Sequence, residues 1–269
     1  MYDFFIAVFK LTFLQIFGLF GIFFILGFIL SKLQEKTHKI YQQTIGWKGI
    51  LWTAWVGTPF HEFGHYFFAK LFRHKIIKFK LFDPNQETGE LGSVDHSFKK
   101  TSLYQRIGNF FIGVAPMIFG SIVLILLAYF FLPHGKELIS ILSSTDNITN
   151  LITKISIGIK NSFLSISALK SWNYWLFLYL SFCIASHLAP SKVDRKGMWS
   201  GFLYIIFILL LINIFGILFN LNPTNTILKI KNYMNFLTAI FLYSIIISTI
   251  HLLFAYILLK LPKKLISKR

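Results

Sequence analysis

The feature that most constrains this chain is a succession of apolar runs, each close to the roughly 20 residues that a helix needs to cross a bilayer. Six are legible, at about 4–30, 47–72, 104–132, 172–190, 200–220 and 234–260. A soluble bundle of helices this apolar on every side would expose hydrophobic surface all round and aggregate. Composition agrees: hydrophobic residues make up 55% and charged residues 14%, where a soluble domain carries about 25% charged. The runs predict an all-α polytopic membrane protein of about six transmembrane helices. No internal repeat or low-complexity linker divides residues 1–269, so they are read as a single membrane-embedded domain. The first run is too long for a signal peptide and lacks a small-residue cleavage site, which makes it an anchor.

The net charge of +17 raises the question of nucleic acid. The Lys and Arg residues bracket the apolar runs, however, and form no basic face alternating with aromatics. Charges so placed set orientation and meet anionic lipid headgroups, so the bilayer is the partner they imply, and no nucleic acid. Six spans put both termini on one side, together with the 73–103 loop and the 191–199 turn, and put the 31–48, 133–171 and 221–233 connections on the other. The face with the termini carries the excess of Lys and Arg, ending in the basic tail Pro262 to Arg269. It is expected to be cytoplasmic. A Phe/Ile/Lys/Asn-rich chain fits a low-GC bacterium, hence a bacterial plasma membrane. Trp47, Trp52, Trp172 and Trp175 flank one interface, and Tyr104 and Trp199 the other. The single cysteine, Cys183, excludes an internal disulfide and reads as packing.

Two connections carry content. Between the second and third helices, Ile77, Phe79 and Leu81 alternate with Lys78 and Lys80. A turn follows at Asp83 to Gly89, then a second extended run from Glu90 to Phe98, which together predict a small β-hairpin. Residues 133–171 form a longer connection with apolar stretches, expected to lie on the membrane surface.

The chemistry sits in the second run, at His61-Glu62-Phe63-Gly64-His65. Two histidines four apart on a helix project from one face, one turn apart, and can share a single Zn²⁺. Glu62 then reaches a metal-bound water as general base, while zinc lowers that water's pKa and polarises a scissile carbonyl. Glu62 is the only acidic residue well inside any of the six runs. A bare carboxylate there is expensive and demands a cation or proton partner.

A catalytic zinc needs a third protein ligand and an open position for water. Glu90, Asp95 and His96 in the hairpin, His187, and Asp194 are the candidates. The HExxH motif lies about seven residues, or about 10 Å, before the hairpin end of its helix. The fourth run ends at the same face near Pro190, and a helix broken by that proline can fold Asp194 back to the motif's depth. Asp194 is therefore favoured. His187 is also at a suitable depth, as an alternative ligand, second-layer partner or transition-state donor. His251, in the last run, is read as a packed or partner-bonded histidine.

A HExxH on a transmembrane helix, a β-hairpin, and a proline-broken helix leading to an Asp together resemble the site-2 protease family of intramembrane zinc metalloproteases. In that family the Asp follows an N-x-x-P sequence and is itself followed by Gly. Here Ser186-His187-Leu188-Ala189-Pro190 precedes Asp194, and Gly197 comes three residues after it. Gly113-Val114-Ala115-Pro116 also looks like the Gly-Pro break of the family's third helix. The resemblance covers about residues 47–200. Glu87 to Gly92 and Ala185-Ser186-His187 are similar to stretches in a bacterial branch of predicted membrane metallopeptidases.

The leading expectation is thus a zinc metalloendopeptidase acting on membrane-protein or peptide substrates, with one Zn²⁺ on His61, His65 and Asp194, and Glu62 as base. The hairpin would offer an edge to which an unwound substrate adds as a strand, with Gly89 and Gly92 allowing close approach. Two alternatives are a transporter or proton- or ion-conducting protein with a His/Glu-lined path, and a pseudoprotease that binds membrane clients without cutting them.

Overall fold

A computed structural model describes residues 2–132, 135–142, 150, 153–154, 156–158, 169–219, 221 and 231–266. Most of the 133–171 connection, most of the segment before the last apolar run, and the tail residues 267–269 lie outside the described residues.

Each of the six apolar runs contains a described helix. The first helix, α1, comprises Tyr2–Ile16, a π-turn at Phe17–Gly21 and Ile22–Thr44. It continues well beyond its apolar run, through residues expected to be a loop. Beyond Ile29 it is amphipathic: Leu30, Thr37, Ile40 and Tyr41 are buried, while Lys32, Glu35, Lys36 and Lys39 are exposed. No breaker intervenes until Gly46, whose φ of 75° with ψ of −154° is a conformation essentially reserved for glycine. The second helix, α2, is Trp47–Leu71, and the hairpin follows as β1, Lys75–Lys80, and β2, Ser93–Ser97. Then come α3, Leu103–Phe131; a short α4, Gly135–Leu142; α5, Trp172–Ala185; and α6, Lys192–Leu218. The last helix, α7, is Lys231–Ala255, prolonged by a π-turn at Tyr256–Lys260 and by Leu261–Ile266.

By length and apolarity, four described helices can cross a membrane: Tyr2–Thr44, Leu103–Phe131, Lys192–Leu218 and Phe236–Ile266. The other two of the expected six fall short for different reasons. With 25 residues α2 is long enough, but its His, Glu, Thr and Lys residues dilute its hydropathy. With 14 residues α5 is apolar but short.

Small residues decide which helices meet, because they let backbones approach where no hydrophobic drive separates protein from lipid. On α2, Gly57 lies against the Cys183 carbonyl and the His187 ring of the α5 end, and Gly64 lies against Ala115 and Phe119 of α3. On α3, Gly113 faces Asp194 and Met198 at the start of α6, and Gly120 faces Leu188. Gly201 of α6 returns the contact against the backbone of Phe110. Buried polar clasps add to this packing. The Gln15 and Asn213 carboxamides pair at 2.8 and 3.0 Å, with Thr12 accepting from Asn213 at 2.9 Å. Ser244 donates to Ser121 at 2.9 Å. His251 meets Tyr41 at 2.7 Å and Ser186 at 3.3 Å, which makes it the partner-bonded histidine expected. Cys183 is a buried free thiol, as packing requires. Trp199, expected as an interfacial anchor, stacks on Phe24 at 5.2 Å.

These contacts fix the direction of each helix. Phe63 against Phe119 and Phe72 against Phe111 make α2 and α3 antiparallel. Trp55 donating to Tyr179, and Gly57 against His187, make α5 parallel to α2. Gly113 against Asp194, with Arg106 on Tyr204, makes α6 antiparallel to α3, so α5 and α6 run the same way. Phe20 on Phe110 and Gly27 against Met117 set α1 parallel to α3. Phe23 on Phe241, Tyr41 on His251 and Lys263 on the Gln43 carbonyl set α7 parallel to α1. Tyr2 and Ile266 therefore lie at opposite ends of the bundle. This corrects the expectation of both termini on one face, which assumed that α5 and α6 run in opposite directions. In sealed vesicles of one orientation, a membrane-impermeant maleimide should label a cysteine at Tyr2 or at Ile266, but not both. Labelling of both would mean that one leg fails to cross.

Candidate metal centre

The motif on α2 lies where α3 and the α5–α6 connection close on the same helix. Among the described residues, His61, His65 and Asp194 bring ligand atoms within 4.8 Å of one another, and together they could hold a metal ion. His65 Nε2 lies 3.2 Å from His61 Nε2 and 3.3 Å from Asp194 Oδ1, and His61 Nε2 lies 3.7 Å from Asp194 Oδ2.

The partners of the other ring nitrogens give these distances their meaning. His61 Nδ1 stands 2.7 Å from the His187 carbonyl, and His65 Nδ1 stands 2.8 Å from the Ile112 carbonyl. A carbonyl only accepts, so each Nδ1 carries the proton and each neutral ring presents a bare Nε2. Two lone pairs and a carboxylate then point at one place, which is repulsive without a cation between them. A backbone carbonyl behind each imidazole is also the arrangement that orients metal-binding histidines. The donor set fits a divalent ion.

Asp194 arrives by a helix start. After α5 ends, Ser186 and His187 turn, Pro190 bars helix continuation, and Ser191 caps α6. The Asp194 amide is bonded to Ser191 Oγ at 3.2 Å, and Asp194 Oδ2 accepts from the Ser191 amide at 2.7 Å. The capping box thus aims Oδ1 at His65 while occupying Oδ2.

Glu62 is 8% exposed, opens on the cleft beside the histidines, and makes no hydrogen bond among the described residues. The cleft has a volume of about 1180 Å³ and draws its walls from α1, α2, α3, the hairpin and the α5–α6 connection. Gly92 packs on Glu62: a Cβ there would sit 2.7 Å from Glu62 Cγ and 2.9 Å from the Lys80 and Leu81 carbonyls. Gly92 is thus in close contact with the Glu62 side chain. Gly89 also lines the cleft; its φ of 75° serves the turn, and nothing lies within 4 Å of its Cβ position.

His187 contributes its carbonyl and not its ring, which lies 3.4 Å from Thr53 Oγ1 and 5.2 Å from the His38 ring. Glu90, Asp95 and His96 line the cleft but are outside the three-residue cluster. The hairpin has the predicted antiparallel pairing, with Ile76 opposite His96 and Phe79 opposite Val94, interrupted by a bulge between Ile76 and Lys78. Phe79 stacks on Tyr66 at 4.5 Å and docks the hairpin on α2. The polar face of α1, with Ser31, Gln34 and His38, also lines the cleft, and sequence reasoning had placed it on the far side. Its signal was the spacing of those three residues, three and four apart on one helical face.

At the hairpin's base His74 Nε2 donates to the Gln105 carbonyl at 2.9 Å, so its Nδ1 accepts from His96 Nδ1 at 2.9 Å. Burial pushes His74 below its ordinary value, and burial followed by the neighbouring His74 pushes His96 down to about 4.

Comparison with protein-family models, with curated proteins and with solved structures finds no match for this chain.

Two outcomes follow from this geometry. Metal analysis should find one ion per chain in the parent protein and in His187→Ala, and near background in His65→Ala and Asp194→Ala; loss of metal from His187→Ala would make its ring a ligand. Both hairpin histidines are neutral in the fold, so their contribution is full above about pH 6.5 and is lost as pH falls towards about 4. Hydrogen exchange, corrected for its intrinsic pH dependence, should show β1 and β2 amides losing protection across that window while α3 keeps its own. Unchanged hairpin protection at pH 4 would contradict the assignment.

Proposed function

We propose that this chain is an intramembrane zinc metalloprotease that hydrolyses peptide bonds of membrane-associated substrates, in the manner of the site-2 protease family it resembles. The observation that carries this reading is the convergence of His61 Nε2, His65 Nε2 and an Asp194 carboxylate oxygen in a cleft that also holds Glu62. Tetrahedral zinc with bonds of about 2.0–2.1 Å keeps its ligand atoms about 3.3 Å apart. The separations of 3.2 Å between the two Nε2 atoms and 3.3 Å from His65 Nε2 to Asp194 Oδ1 suit that tetrahedron. Two imidazoles and one carboxylate leave a fourth position open, the pattern of catalytic and not structural zinc. When bound, zinc supplies a Lewis acid for the scissile carbonyl and lowers the pKa of water.

The remaining work falls to the chain's own residues. The carbonyls of His187 and Ile112 hold the two imidazoles in the tautomer that leaves Nε2 free. With no hydrogen bond to give up, the Glu62 carboxylate takes a proton from the attacking water and passes it to the leaving amide nitrogen. Gly92 packs against the Glu62 side chain, so the hairpin walls one side of it while the other opens on the cleft. The hairpin's second role is recognition. Ser93 to His96 of β2 line the cleft, and β2 has a single neighbouring strand, so an unwound substrate can add along it.

In the bilayer we read five crossings, not six. Because α5 and α6 run in one direction with a proline break between them, they make one interrupted crossing. Such a break is tolerated where it lines a cavity. The polar residues Glu62 and His65 are buried inside the bundle, which allows α2 to cross despite its low hydropathy. With the basic tail from Lys260 at the end opposite the hairpin, the excess of Lys and Arg read for the hairpin face disappears, and charge no longer distinguishes the two ends.

The test is Glu62→Gln in proteoliposomes carrying a transmembrane reporter segment. Metal content should be retained while cleavage falls by about 10²- to 10⁴-fold, the range for loss of a general base. Undiminished cleavage refutes the assignment.

A further inference from the structure

Asn109 stands on α3, three residues before Ile112, whose carbonyl fixes His65, and four before Gly113, which packs on Asp194. Positions three and four apart share a helical face, so Asn109 lies on the side of α3 that faces the candidate metal ligands of α2 and α6, about 5 Å along the helix towards the hairpin end. It is 6% exposed and lines the cleft. Among the described residues its carboxamide has no hydrogen-bond partner. Buried carboxamides are ordinarily bonded, and one left open to a cleft is a group waiting for a ligand. β2 lines the same cleft, with Ser93 to His96 on its wall.

The carboxamide offers a donor and an acceptor in one plane, as a peptide group does, and it pairs with a peptide group through both. Successive peptide groups in an extended chain are about 3.3 Å apart. With one carbonyl at the metal centre, the peptide group one or two residues along falls level with Asn109. We propose that Asn109 binds the main chain of the substrate next to the scissile bond, holding it extended between α3 and β2. This rests on the peptidase reading above. It makes Asn109 a binding residue that is indifferent to side-chain sequence, and it gives α3 a part in recognition beside its part in packing.

Two probes separate the contribution of Asn109 from that of the metal. Acetohydroxamate binds a catalytic zinc and has no further peptide group, whereas a dipeptide hydroxamate carries the same head with a peptide main chain attached. Binding of both is followed on the cobalt-substituted full-length protein by its visible absorption. Asn109→Leu should weaken the dipeptide hydroxamate by about tenfold, the size of one or two hydrogen bonds, and leave acetohydroxamate within about twofold. The same variant should melt no lower than the parent, because it breaks no hydrogen bond among the described residues, whereas loss of a residue needed only for structure would lower the melting point. If Asn109→Leu fails to fold, Asn109→Asp decides the matter, since it keeps the size and loses the donor; there the dipeptide probe should weaken about threefold or more. Equal binding of the dipeptide hydroxamate by parent and folded variant overturns the proposal. If the parent binds neither hydroxamate, the peptidase reading falls and takes this proposal with it.

Discussion

A helix broken inside a bilayer leaves backbone groups that neither lipid nor the helix itself can satisfy, at a cost of about 1–3 kcal/mol each. On the five-crossing reading proposed above, the break between α5 and α6 is where this chain meets that constraint, and its solution shapes the candidate metal centre. The His187 carbonyl takes the Nδ1 proton of His61. The Ala189 amide donates to Gln34 of α1 at 2.7 Å. The Ser191 amide donates to Asp194. Three elements are thereby tied to one turn, and two of the three groups that satisfy it belong to the cluster that could hold a metal ion. The same bonds that make the break tolerable orient the donor atoms, so folding and site assembly are a single event.

A second consequence concerns α1. Outside the stretch that resembles a known family, it nonetheless closes the cleft with Ser31, Gln34 and His38, and its Gln34 holds the break. A bundle reduced to α2, α3 and the α5–α6 pair would leave the Ala189 amide unpaired and the cleft open on one side. The long first helix is part of the centre's wall, and its length beyond the apolar run is explained by that task.

Much of this was legible in the residues. Apolar runs located six of the seven described helices, alternation located the hairpin, the four-residue histidine spacing located the candidate site, and Pro190 pointed to Asp194. What escaped reading has physical reasons. Residues 31–44 look like a polar loop because all but Leu33, Ile40 and Tyr41 are polar or charged, although Leu30, Thr37, Ile40 and Tyr41 keep helical spacing. The direction of α6 was missed because a charged turn of nine residues, 191–199, is equally good as a reversal or as the first turns of a helix, and only packing of Gly113 and Gly201 decides. His187 acts through its carbonyl, which every residue possesses, so no side-chain reasoning could have assigned that role. Gly89 and Gly92 were paired by composition, yet one obeys a torsion and the other a contact.

The parallel course of α1 and α7 has an evolutionary corollary. A chain whose opening and closing helices point the same way cannot be joined head to tail with a second copy unless that copy is inverted or an additional helix is inserted between them. Tandem duplication, a common route to larger membrane proteins, is therefore obstructed for this architecture, and enlargement is easier by insertion into connections such as the one between α3 and α5.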